Sequence, residues 1–443
     1  MPYCKDWTNS FLILSLLCTA SISIADDWPQ WRGPNRDGVW NETGIIEKFD
    51  SGEVKLRWRT PISSGYSGPT VADGRVFVTD RVVEPKQIER VLCFDSTSGK
   101  AIWKHEYPCP YIGIGYTAGP RACVTIDDGH AYVLGAMGHL HCLDASKGQV
   151  VWKQDLNAGY EIQHKDRAKN RMPIWGISAA PLIFENLVIL HIGGSDGACV
   201  VALDKQTGEE IWHALSDRAS YSSPIVVRQN DRQVVVCWTG DSVAGLDPTS
   251  GEILWRFPFA PSRMPIGIAT PIIGGDRLFV TSFYDGSLML RLGQDRFAAE
   301  KIWQEIGPNE RDTRALHSII STPIFLDDHI YGVDSYGELR CIEAETGKRV
   351  WEDLSATPKE RWSTIHFVQN QKTVWMFNER GELIISSLTP EGFKETSRAK
   401  LIEPTTEQLR RRGGVCWAHP AFANRHVFAR NDNEIVCASL ESK

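Results

Sequence analysis

The sequence has no excess of positive charge: 48 Lys and Arg stand against 55 Asp and Glu, for a net charge of -7. A nucleic-acid binder neutralises phosphates with a basic surplus, so that class is excluded. Past residue 25 no stretch approaches the ~18 consecutive apolar residues of a membrane-spanning helix. No CxxCH string offers thioether attachment to a haem, and neither HExxH nor GxxxxGK[ST] occurs, which removes the helical zinc-protease motif and the phosphate loop. What remains is 42% apolar and 23% charged, the balance of a globular protein, with an unusual 16 tryptophans.

The N-terminus has the pattern of an export signal: Lys5, an apolar run from Phe11 to Leu17, then small residues ending in "SISIA". Cleavage after Ala25 is expected, giving a periplasmic or extracellular protein. A lipid anchor at Cys18 is the weaker alternative, because Leu17 stands where such sites need a small residue. Nine cysteines remain beyond residue 25. Cys93, Cys142, Cys341 and Cys437 each fall two positions before the same landmark of a repeat. Equivalent slots in neighbouring sheets lie ~10 Å apart, too far for a bridge, so buried thiols are expected there.

That repeat organises the chain. "LCFDSTSGKAIW" ends at Trp103, "HCLDASKGQVVW" at Trp152, "VALDKQTGEEIW" at Trp212, "AGLDPTSGEILW" at Trp255 and "RCIEAETGKRVW" at Trp351, with a degenerate copy at Trp303. Intervals of 43 to 60 residues suit one four-stranded unit. The Asp carboxylate is placed to accept turn N–H groups and the Gly supplies a positive φ, so Asp95, Asp144, Asp204 and Asp247 read as turn residues rather than catalytic carboxylates. Each Trp ends a strand, where it can cover the gap between sheets.

Inner strands are marked by a small-small-Pro entry at Pro69, Pro120, Pro181, Pro224, Pro271, Pro323 and Pro420, with a Pro-less copy at Phe367. Eight units follow. The eighth ends without a Trp strand, whereas "VKLRW" from Val54 to Trp58 is a Trp strand without a unit. Pairing it with Glu434 to Leu440 would close a ring and remove exposed sheet edges. The expectation is an all-β, eight-bladed propeller over residues 54–443, preceded by residues 1–25 as signal peptide and by residues 26–53 packed on one propeller face.

Units such as "IYGVDSYGELRCIEAETGKRVW" resemble the repeat of the pyrroloquinoline-quinone (PQQ)-like, tryptophan-docking β-propellers. That family includes quinoprotein dehydrogenases and the propeller lipoprotein of outer-membrane protein assembly. "DDWPQWRGPNRDGVW" resembles the N-terminal segment of exported members. The dehydrogenases hold PQQ beside a vicinal disulfide and over calcium. This sequence has no Cys-Cys pair and its blades are compact, so PQQ is disfavoured and no cofactor is expected, while likeness of fold alone says little about function.

Two sets of candidate residues lie outside the repeat's own logic. The residue before each inner strand is small in six units, but is His366 and His419 in the last two. Adjacent blades would bring these imidazoles together at the axis, either as a metal or anion site or as packing that plugs the channel. Arg171, Arg263, Arg314, Arg361, Arg410, Arg411 and Arg412 precede inner strands on one face, where they would attract an anionic ligand or acidic protein partner, or form a solvated rim. Trp175, Trp362 and Trp417 accompany them as interface anchors or as a seal on the funnel. The expected function is an exported, non-enzymatic binding module; a quinoprotein-like oxidoreductase with an atypical site and a carbohydrate- or polymer-binding module are the alternatives.

Overall fold

Eight four-stranded antiparallel sheets form the blades of a propeller. The computed structural model describes Met1, Tyr3, residues 26–411 and residues 413–442, so the signal-peptide and Cys18 expectations, and Arg412, lie outside the described residues. Blades one to seven span residues 70–108, 125–155, 182–214, 225–258, 272–305, 324–353 and 365–400; blade eight combines residues 421–439 with Leu56–Pro61. In blades one to seven the strands follow chain order, whereas blade eight takes the chain's first strand as its outermost; the first strands of blades eight and one, one and two, two and three, and five and six touch around the axis.

The two ends of the chain meet as the stranded Trp segment requires. Leu56–Pro61 pairs antiparallel with Glu434–Ser439, with Trp58 opposite Cys437 and Pro61 opposite Glu434. The strand begins two residues later than its pattern suggested. Val54 donates to Lys400 O at 2.9 Å instead, so this residue belongs to the edge of blade seven. The segment therefore crosses from one blade to the next before closing the ring.

Each turn element does what its chemistry dictates. Asp95 accepts the amides of Thr97 and Ser98 at 3.2 and 2.8 Å and both hydroxyls at 2.7 Å. Asp144, Asp204 and Asp247 repeat the arrangement. The blade-closing indoles reach across to the next blade: Trp58 donates to Ser96 O, Trp103 to Ala145 O, Trp152 to Lys205 O, Trp212 to Pro248 O and Trp303 to Ala344 O, all at 2.8–3.1 Å. The turn glycine lies flat against the arriving ring. A Cβ on Gly99 would stand 2.6 Å from the Trp58 indole, and one on Gly148 2.5 Å from Trp103.

Directly opposite the Trp in its own sheet is a small or soft residue. Cys93, Cys142, Cys341 and Cys437 occupy that slot, facing Trp103, Trp152, Trp351 and Trp58. All nine cysteines that the structure describes are free and buried. Burial raises the Cys93, Cys142 and Cys437 thiols to about 12, so they pack as small apolar groups.

Residues 26–40 lie across the far ends of the inner strands. Trp28 exchanges backbone hydrogen bonds with Val71, Pro29 O accepts from Ile126, and Trp40 N donates to Gln369 O. Trp28 and Trp40 are 2% and 1% exposed, packed on Phe422 and Trp375, which makes this segment part of the core of blades seven, eight and one.

Two predictions follow from the turns. Gly74 and Gly99 both have positive φ, at 71° and 68°, but a Cβ on Gly74 meets nothing within 4 Å. Gly74→Ala is expected to cost about 1–2 kcal/mol through φ alone. Gly99→Ala carries that cost plus a further ~1–3 kcal/mol for displacing the Trp58 ring; equal urea midpoints for the two variants would refute the docking joint. Hydrogen bonds from Ser98 and Thr97 hold the Asp95 carboxyl down at about 2. Its stabilising contribution is then complete above about pH 4, the unfolded value, and is lost as pH falls through 2. Asp95→Asn is expected to be less stable than wild type at pH 7, with the gap closing towards pH 2.

Candidate functional site

The inner strands place a pocket at the axis because side chains two residues apart point the same way. Numbering back from the Pro entry, positions minus one and minus three form two stacked rings. The upper ring contributes Tyr66, Ser178, Tyr221, Ile268, Ile320 and Trp417; the lower contributes Ala180, Ser223, His366 and His419. Trp31 comes up from the N-terminal segment as part of the floor, donating from Nε1 to Thr270 Oγ1 at 2.7 Å and meeting His419 edge-on at 4.6 Å between centroids. Blade two, whose inner strand starts at Thr125 rather than directly after Pro120, adds Arg121 to the upper ring and Cys123 to the lower; approach loops add Tyr116, Trp175 and Trp362, and the cavity volume is about 160 Å3.

The walls hold one another in place. Trp175 stacks on Tyr221 at 5.0 Å, and Tyr116 lies edge-on to Trp175 at 5.5 Å and within 6.4 Å of both Trp362 and Trp417. Tyr116 and Trp362 have φ of 54° and 69°, a region that bulky residues leave unless their surroundings fix it, at roughly 1–2 kcal/mol each. Gln408 ties the loop before blade eight to this wall, since its Oε1 accepts from Trp417 N at 2.8 Å and its carbonyl from the Tyr66 hydroxyl at 3.1 Å. The indole Nε1 groups of Trp362 and Trp417 are buried without a hydrogen-bond partner among the described residues.

His366 and His419 do meet, with ring centroids 6.3 Å apart on the pocket floor. His366 donates from Nε2 to Trp417 O at 2.9 Å and His419 from Nδ1 to Pro420 O at 3.3 Å, because a carbonyl can only accept. Burial, with the Arg32 cation adding to it, lowers His366 to about 4; burial, then His366 and Arg32, lowers His419 to about 3. Both rings are neutral at pH 7. Each has turned one nitrogen to its own strand or its neighbour's, and no group of three or more His, Cys, Asp or Glu suited to a metal occurs among the described residues.

Beneath them the N-terminal segment carries two buried guanidinium groups. Arg36 donates to Pro224 O at 3.0 Å, and to Pro181 O and Ala180 O; Arg32 donates to Asp37 O at 2.7 Å. Burial lowers both to about 10, which leaves them charged at neutral pH.

Of the seven arginines singled out by position, the six that the structure describes have different fates. Arg171 is spent on the carbonyls of Gly193, Ser216 and Asp217. Arg361 pairs with Glu310 at 3.0 Å and lies over the Trp362 ring at 4.4 Å; Arg411 is largely buried against Glu379 and donates to Arg361 O. Arg314 stands 3.8 Å from Glu305. Arg263 and Arg410 are exposed; Arg263 lies 4.6 Å over Tyr284, and neither forms an ion pair among the described residues. Arg121, Tyr66, Tyr116 and Tyr221 escaped the sequence reading, although Tyr66, Tyr221 and Trp417 share the same offset from Pro and could have been found by aligning the entries. A Gly-x-Ser-x-Gly spacing at Gly193, Ser195 and Gly197 has no catalytic setting: it forms a hairpin turn in which Ser195 Oγ donates to Glu161 O.

A family model described as "Outer membrane protein assembly factor BamB" matches residues 87–353 and 241–443. Among curated proteins, the chain is 26% identical over 269 residues to the outer membrane protein assembly factor BamB of Shewanella oneidensis, covering 57% of this chain and 64% of that protein. It is 28% identical over 208 residues to the dehydrogenase subunit of a quinone alcohol dehydrogenase from Gluconacetobacter polyoxogenes, covering 43% of this chain and 26% of that protein. The chain thus spans less than two thirds of the length of these relatives. Of solved structures, BamB from Moraxella catarrhalis superposes with a TM-score of 0.58 at 15% identity, over 87% of this chain and 99% of that one. Quinohemoprotein alcohol dehydrogenase from Comamonas testosteroni gives 0.64 at 14% identity, over 94% and 81%. Both likenesses are of fold.

The Glu379 and Arg411 pair fastens the loop that carries Gln408. Glu379 is fully buried, and burial pushes its carboxyl up to about 7 against the pull of Arg411 and Arg380. A folded value above the unfolded one means a contribution present below about pH 4.3 that is lost as pH rises through 7. Wild type is therefore expected to lose stability relative to Glu379→Gln between pH 5 and pH 8. A stability difference that stays flat over that range in urea melts would contradict this assignment.

Proposed function

We propose, from the premise that this chain belongs to the PQQ-like propeller family described as Outer membrane protein assembly factor BamB, that it is an exported, non-enzymatic scaffold that seats a protein partner or anionic group at its channel mouth. The observation that carries this reading is the mouth itself. Aromatic side chains line it above the floor, and the exposed cations Arg263 and Arg410, on the loops that lead to the inner strands of blades five and eight, form no ion pair among the described residues. Aromatic anchors beside arginines are the composition of binding hot spots, and a cationic rim steers acidic surfaces to it. The relatives named for outer-membrane assembly support a scaffold, and the apolar run at Phe11 to Leu17 supports export.

The quinone alternative is tested against the donor set. A quinone held over calcium needs carboxylate or carbonyl oxygens around the ion. No Asp or Glu lines this pocket, and the cations Arg32, Arg36 and Arg121 lie around it. The residues present do not fit a calcium-bound quinone.

The scaffold reading is checked by photo-cross-linking from the rim in the native host, with the reactive group at Ile174, which is 53% exposed. Reversing Arg410 and Arg263 to Glu is the informative change. Reversing Arg411 would break its buried contact with Glu379 and confuse binding with folding. A reproducible adduct that is lost in the double reversal is expected; an adduct unaffected by it, or no adduct, would overturn the partner surface.

A further inference from the structure

The axial pocket combines a size, a charge and a donor pattern that together select a ligand class. A cavity of ~150 Å3 lined by apolar side chains takes up benzene, and this one measures about 160 Å3. It has room for one ring. Its walls are aromatic faces already fixed by mutual stacking, so little side-chain freedom remains to be lost on binding.

Arg121 is the one charged side chain on the lining among the described residues; the neutral His366 and His419 each keep one ring nitrogen as an acceptor. Arg121 has five N–H groups and spends three hydrogen bonds on the carbonyls of Gly119, Gly115 and Tyr116. It forms no ion pair with a carboxylate among the described residues, and no Asp or Glu lines the pocket. The indole N–H groups of Trp362 and Trp417 are buried away from the cavity, so these rings line it with carbon rather than with donors. The Tyr221 hydroxyl accepts from Trp175 N at 3.3 Å, which leaves its own hydrogen to give. Arg32 and Arg36 beneath the floor add positive potential that burial shields from salt. An apolar, aromatic-walled cavity with one guanidinium on its lining complements a flat ring bearing an anionic acceptor.

We infer that the axial pocket binds a single-ring aromatic carboxylate, its ring among Trp175, Trp362 and Trp417 and its carboxylate on Arg121. This rests on the binding-module reading above and names the anionic group that the channel takes. A fused tricyclic quinone is larger than one ring and would have to project through the open mouth. The N-terminal segment floors the cavity through Trp31, so the ligand enters and leaves by the loop-bearing mouth alone.

Titration calorimetry on the intact protein, paralleled by tryptophan fluorescence, tests it with benzoate as the probe and benzamide, acetate and PQQ as comparisons. Benzoate is expected to bind once per chain, at least tenfold more tightly than benzamide, with acetate silent and PQQ failing to displace it. Arg121→Gln is expected to weaken benzoate by tenfold or more while leaving benzamide unchanged, and Trp417→Leu to weaken both. Retained benzamide binding also reports that the Arg121 variant is folded; where that variant does not fold, the wild-type preference for benzoate over benzamide decides. No saturable benzoate binding up to about 10 mM, a limit set by the weakest affinities of interest, overturns the proposal. So does equal affinity for benzamide, insensitivity to Arg121→Gln, or displacement of benzoate by PQQ. Cross-linking from Ile174 reads the protein-partner surface independently, so loss of the ligand does not count against that surface, nor loss of the adduct against the ligand.

Discussion

The indole laid on the next blade's turn glycine is the joint on which this molecule depends. It fixes how far apart two sheets stand, buries the largest apolar side chain available, and satisfies the indole N–H with a turn carbonyl. Because the blades form a closed ring, an error in one joint cannot relax outward and must be absorbed by the others. The glycine therefore has two duties at once. Its positive φ makes the turn, and its missing Cβ makes room for the ring.

Where the joint is absent, another element takes its place. Blade seven ends in Gly392–Lys400 with no tryptophan, and the gap to blade eight is filled by the N-terminal segment. Phe49 packs against Trp375, Phe49 N donates to Ser397 Oγ, and Val54 joins the Lys400 edge before the chain turns into the closing strand. A long-range strand thus does what a local side chain does elsewhere. Trp255 departs differently, donating to Gln229 Oε1 of its own blade at 2.7 Å.

Much of this was legible in the sequence because a repeat records position eight times over. The blade count, the turn role of the Asp residues, the buried thiols opposite the tryptophans and the meeting of His366 with His419 all follow from equivalent offsets in equivalent units. Partners are a different matter. Arg171 and Arg263 stand at comparable places before an inner strand, yet one clasps three carbonyls and the other lies exposed over a tyrosine. Which fate applies is decided by residues remote in the chain, such as Ser216 and Asp217 for Arg171. The strand boundary at Leu56 was missed for a related reason: Val54 alternates correctly for the closing strand, and only the neighbouring edge at Lys400 offers it a better hydrogen bond. Arg121 was overlooked because blade two does not enter its inner strand at Pro120 as expected: the strand starts at Thr125, so Val124 stands in the Pro slot and Arg121 shares the offset of Tyr66, Tyr221 and Trp417.

The same stretch of chain that mends the ring also gives the axis its chemistry. A propeller channel formed by small residues alone would be an open tube with little power to hold anything. Here Trp31 floors it, and Arg32 and Arg36 bring charge into a region where burial prevents screening. Their hydrogen bonds run to backbone carbonyls and the Gln30 side-chain amide rather than to carboxylates, so the charge is solvated but not cancelled. That uncancelled charge helps to keep His366 and His419 neutral, and neutral imidazoles can pack edge-on against an indole where imidazolium ions would repel the guanidinium below. The bulky residues at the last two inner-strand entries are thus explained by the segment beneath them: two flat, uncharged rings close a floor over buried cations, and the cavity above inherits a positive field within aromatic walls.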